Sequence, residues 1–110
     1  MSVVQSGYEL LVSSLTTAGL QVALYAWDRP PQGDYGVVSL SEGNDLIADG
    51  IHVERGTEGY LDYFTRDASE AIRNTIEAVL NDGYAWYLNS VQYEDDTHYI
   101  HYEWRWSYHG

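Results

Sequence analysis

The stretch from Tyr99 to Tyr108, YIHYEWRWSY, alternates with a period of two. Ile100, Tyr102, Trp104, Trp106 and Tyr108 fall on one side, and Tyr99, His101, Glu103, Arg105 and Ser107 on the other. Only an extended strand separates residues this way. A row of four large aromatic rings with an isoleucine has to be covered by another layer. The chain therefore needs a sheet with at least one face under helices, and the search for those helices organises the rest of the sequence.

Two helical patterns are present. Val4, Tyr8, Leu11, Leu15 and Ala18 recur at steps of four and three, and Gly19 is placed to end that helix. The second, DASEAIRNTIEAVLNDG, carries Ile72, Ile76, Val79 and Leu80 as its buried stripe. Asp67 is its expected N-cap, with Glu70 three residues on in a capping-box spacing, and Gly83 is its expected C-terminal stop. Between the helices, Leu20–Trp27, Tyr35–Leu40 and Tyr60–Thr65 alternate as strands, and LIADGIHVERG reads as another strand interrupted at Asp49-Gly50. DRPPQGD and SEGND are loops. After the second helix, Tyr84–Tyr93 and His98–Tyr108 form a hairpin about the EDDT turn. The order α-β-β-β-β-α-β-β predicts an α+β fold. Two helices pack on one face of a mixed, largely antiparallel sheet of about five to six strands. The 110 residues, 1–110, make one domain.

Charge restricts function. Seventeen acids face five bases, all arginine, for a formal net charge of −12. Such a surface repels phosphate backbones, which excludes groove binding to nucleic acid. Three readings of the acidity stay open: a solvated, repulsive surface, a wall beside which DNA moves without sticking, and a mimic of DNA phosphates. Adaptation to high salt gives the same balance. Neither a signal peptide nor a membrane span is expected from the sequence.

Candidate chemistry is thin. The chain has no cysteine, so it has neither a disulfide frame nor a thiolate metal site. His98 and His101 are three apart on a strand and face opposite sides. His101 and His109 share a face but stand about 26 Å apart. Glu94-Asp95-Asp96-Thr97 lacks the glycine and terminal glutamate of a calcium loop and reads as a hairpin turn. No nucleophile elbow, phosphate loop, zinc-protease motif or dinucleotide fingerprint occurs. The expectation is a protein without a metal, a cofactor or an enzymatic activity.

In ERGTEGYLDYFTRD (Glu54 to Asp67), the capped helix after it, and WYLNSVQYEDDTHYIHYEWRW (Trp86 to Trp106), the chain resembles the tail-terminator, or tail-completion, proteins of long-tailed bacteriophages. The resemblance implies helices on one side of a mixed sheet. It also implies a homo-oligomeric ring, commonly a hexamer, that caps the tail tube and meets the head connector protein. Its place is then the tail or neck of the virion, and the host cytoplasm during assembly. DNA passes through such a ring without being read. An acidic DNA-mimic inhibitor of a nucleic-acid-binding host protein is the alternative. Expected contacts with neighbours and tube lie along one sheet edge and in the loops Asp28 to Asp34 and Ser41 to Asp45. Arg29 and Arg55 are expected to meet acids of the adjacent copy, and Trp106 and Tyr108 to supply aromatic burial. Trp106→Ala is expected to weaken assembly more than Arg29→Ala.

Overall fold

The first helix, α1 (Gly7–Thr17), ends where its sequence says it should. In this computed structural model, which describes residues 7–29, 31–41 and 57–108, Gly19 takes a φ of 98°. Its N–H donates to the Thr16 carbonyl at 3.0 Å and the Leu20 N–H donates to the Leu15 carbonyl at 3.1 Å. That pair of bonds satisfies two carbonyls at the helix end, and only glycine adopts this backbone at little cost. The chain then enters β1 (Val22–Leu24), β2 (Tyr35–Leu40) and β3 (Thr57–Thr65), crosses α2 (Ala71–Leu80), and returns as the hairpin β4 (Tyr84–Glu94) and β5 (Tyr99–Tyr108). The strand order is β1-β2-β3-β5-β4, with β1 parallel to β2 and every other pair antiparallel. The fold is α+β, as expected. The expected strand through Asp49-Gly50 lies outside the described residues.

Both helices cover the same face. Leu11 and Leu15 of α1 and Ile76 and Leu80 of α2 share one core with Val22, Val38, Leu61, Tyr63, Tyr102, Trp104 and Trp106. Register explains the choice of residues. Trp104 lies beside Leu61 and Leu88, and Tyr102 beside Tyr63 and Val91, so each row presents one apolar side to the helices. Trp104 is fully buried, and its indole N–H donates to Glu77 Oε2 at 3.0 Å. The same oxygen accepts from Arg73 Nε, also at 3.0 Å, one helical turn away.

Two local expectations are corrected. Asp67 does not cap α2. The helix begins at Ala71 with Glu70 in the cap position and no side-chain cap bond. Asp67 Oδ1 instead accepts the Ser69 N–H at 2.9 Å, Ser69 Oγ accepts the Ala71 N–H at 3.3 Å, and Thr65 Oγ1 accepts the Asp67 N–H at 2.9 Å. These three side chains each bond the backbone two residues on, a staircase of small turns that consumes the residues before the helix. The bond from Ser69 holds the exposed Asp67 carboxyl below its usual pKa. The other correction concerns Leu20–Trp27, which is a strand only over Val22–Leu24. Leu20 is spent on the α1 cap. Tyr25, at φ 68°, is the centre of a tight turn in which the Ala26 N–H donates to the Leu24 carbonyl at 2.8 Å.

Gly59 sits on the covered face between Leu40 and Trp106. A Cβ there would fall on the Ser39 carbonyl oxygen, which belongs to the backbone and cannot turn aside. Gly59→Ala should therefore lower stability by about 1–3 kcal/mol, as overpacking does. Glu77→Ala should cost a similar ~1–3 kcal/mol, because it strands the buried Trp104 donor, whereas Glu77→Gln keeps an acceptor and should cost less. Chemical denaturation followed by tryptophan fluorescence measures all three, and equal losses for the Ala and Gln variants at position 77 would remove the acceptor role.

Candidate interaction face

The opposite face of the sheet has no described element packed on it. Period two brings Tyr35 and Val37 of β2, Tyr60, Asp62 and Phe64 of β3, and Tyr99, His101, Glu103 and Arg105 of β5 to this side. Its centre is an aromatic ladder across three strands. Tyr35 stacks on Phe64 with ring centres 4.9 Å apart, and Phe64 stacks on His101 at 4.2 Å. Tyr99 meets both Tyr35 and Phe64 edge-on. The Arg66 guanidinium lies 4.1 Å over the Tyr99 ring, while Arg66 Nε donates to the Thr97 carbonyl at 2.9 Å. The Tyr99 hydroxyl donates to the Gly33 carbonyl at 2.9 Å, which ties the β1–β2 loop to β5. Those covers explain why Tyr99 is buried on an otherwise open face.

Charge on this face is mostly negative. Glu58, Asp62, Glu94 and Glu103 stand against Arg105, whose guanidinium lies 4.3 Å over Tyr60. His101 Nε2 is 2.7 Å from Asp62 Oδ1, and its Nδ1 is 3.9 Å from Glu94 Oε2. The hydrogen bond to Asp62 raises the His101 pKa above 6.5, partial burial opposes it, and the acids at 62, 94 and 103 add to the rise. Carboxylates thus face both imidazole nitrogens, an arrangement that fixes the ring. Burial, and then Tyr99 and Glu94, raise the pKa of Tyr35. Burial first and Asp34 second push Tyr63, on the helix side, up to about 12. These phenols stay neutral and act as packing groups.

A shallow hollow of about 260 Å³ opens near the end of the sheet, lined by Glu58, Ala85, Trp86, Tyr87, Arg105, Trp106 and Ser107. Buried Arg105 Nε and Trp106 Nε1 find no acceptor among the described residues. By the strand alternation these two side chains leave the sheet on opposite faces, so they do not form one joint donor site.

The residues expected at a subunit contact separate. Trp106 is only 2% exposed and is a core residue of the folded chain, with Tyr84 packed edge-on at 6.0 Å. Trp106→Ala is consequently a folding variant, at about 3–5 kcal/mol, and the expected ranking of Trp106 against Arg29 does not isolate assembly. Tyr108 is half-buried against Tyr84, ring centres 5.1 Å apart. Arg29 is exposed in the β1–β2 loop. Arg55 and residues 42–45 of the second expected loop lie outside the described residues. His98 sits in the hairpin turn at φ 66°, its Nδ1 2.9 Å from the Tyr93 hydroxyl, well away from the His101 pairing. The ladder of Tyr35, Phe64 and His101 went unseen in the sequence. Period two placed His101 on this face, but only the register Tyr35–Phe64–His101 aligns the rings.

No protein-family model matches the chain, and no curated protein matches it at a significant level.

The His101–Asp62 pair makes stability depend on pH. A histidine whose folded pKa is raised stabilises fully below its unfolded value, near 6.5, and loses that contribution as pH rises through the folded value. Unfolding free energy measured from pH 5 to 9 should fall across this window, and His101→Gln should flatten that part of the curve. An unchanged slope in His101→Gln would assign the pH dependence to other groups.

Proposed function

We propose that the protein is a ring-forming tail terminator, or tail-completion protein, of a long-tailed bacteriophage. Copies close into a ring, a hexamer by the family resemblance. The ring caps the finished tail tube and presents a surface to the head connector. The observation that carries this reading is the sheet itself. One face is filled by helices, and the other carries no element among the described residues, with Glu58, Asp62, Glu94 and Glu103 across it.

A face of this kind suits the wall of a DNA passage. At a net charge of −12, like charge keeps phosphates from arresting on the wall, and the aromatic ladder stiffens it. The role needs no catalytic group, in keeping with an imidazole held between carboxylates. The fold agrees with the layer that the family resemblance implies. A DNA mimic, by comparison, needs its acids gathered at phosphate-like spacing. Here they also occur in the hairpin turn at Asp95 and Asp96 and before α2 at Asp67 and Glu70.

Particles assembled without this protein should carry tails of abnormal length or tails that fail to join heads, seen by negative-stain electron microscopy. Normal, joined tails in its absence would defeat the reading. Normal tails together with tight binding of the purified protein to a DNA-handling enzyme would establish the mimic.

A further inference from the structure

We infer that copies join edge to edge, β4 of one subunit pairing antiparallel with β1 of the next, so that one sheet continues around the ring. This specifies the seam of the ring proposed above and rests on that proposal. The exposed large hydrophobic residues among those described are Tyr25, Tyr87, Val91 and Tyr93. Tyr25 directly follows β1, and the other three lie on β4, so all of them stand at the two outer strands of the sheet. β4 is long, contains no proline or lysine, and is uncharged from Tyr84 to Tyr93. Proteins usually blunt such an edge with the residues this one lacks, leaving only the irregularity between Leu88 and Ser90 as protection.

Charge selects a second copy as the occupant. Two chains of net charge −12 repel over most of their surfaces. The run from Leu10 to Trp27, which contains β1, is as free of charge as β4. The two neutral edges are therefore where like can approach like. Strand direction fits as well. Following the pairings across the sheet, β4 runs opposite to β1, so a neighbour that continues the sheet forms an antiparallel ladder. Through successive partners, Ala23 lies level with Val37, Asp62, Glu103 and Ser90. A β4–β1 contact joins different surfaces, which closes rings. A β4–β4 contact joins like surfaces, stops at two copies and leaves Tyr25 exposed. β1 has three residues, so the ladder itself is short, and the exposed tyrosines and Val91 supply most of the buried surface.

The absence of native cysteine makes the seam directly testable. Ala23→Cys is mixed with Ser90→Cys or with Gln92→Cys, all on the helix-free face, and the mixture is oxidised. Disulfides should join an Ala23→Cys chain to a Ser90→Cys or Gln92→Cys chain, and the double variant Ala23→Cys/Gln92→Cys or Ala23→Cys/Ser90→Cys should give a covalent ladder. Val91→Lys, checked for folding by circular dichroism, should weaken association about tenfold, equivalent to ~1.4 kcal/mol. Disulfides formed by a β4 variant alone, or none in any mixture, would overturn the seam. Rings seen by electron microscopy without mixed disulfides would remove this seam and leave the ring reading standing. Mixed disulfides from a protein whose loss leaves tails normal would keep the seam and remove the tail role.

Discussion

A buried indole N–H needs an acceptor to offset its loss of water, and Trp104 lies in the core of this molecule with nothing exposed. Glu77 meets that requirement, and its position dictates much of the rest. Its bond to Trp104 ties α2 to β5, with Ile76 and Leu80 of the helix in the shared core. Its remaining charge is answered by Arg73 on the same helix. A charged acceptor at a part-exposed site makes a stronger bond than a neutral one, and a guanidinium beside it offsets the carboxylate's loss of water. One carboxylate thus fixes a helix, a strand and the face on which they meet.

The two sides of the sheet solve different problems. On the helix side, apolar burial supplies the driving force, and two indole donors find side-chain acceptors, Trp104 at Glu77 and Trp86 at Asn81, while the Trp106 donor has none among the described residues. On the other side, rings stack on rings and cations lie over rings, as with Arg66 on Tyr99 and Arg105 on Tyr60. Such contacts need no covering layer, because each group keeps one side available to water. Stacking of this kind orders the face within the single chain.

Edges and charge act together. A sheet that ends in a neutral, tyrosine-bearing strand invites pairing, and a net charge of −12 discourages it everywhere else. For the proposed seam, this combination favours one geometry of self-association over irregular clustering.

The sequence by itself determined the helices, the hairpin and the sides of β5, because periodicity is a local property of the chain. Ile100, Tyr102 and Trp104 could be assigned to the covered row from spacing alone, and Gly19 to a helix end. It did not determine the start of α2, because the Asp67 carboxyl accepts from the Ser69 N–H in a local turn and the helix begins only at Ala71. Nor did it determine the length of β1, which the α1 cap and the turn at Tyr25 shortened from both ends. Only the tertiary structure decided that Trp106 belongs to the core, since burial depends on how far the helices extend over the strand. Strand order and register likewise arise from pairings between distant segments. They alone bring Tyr35, Phe64 and His101 into one ladder, set Asp62 against His101, and leave β1 and β4 as the edges.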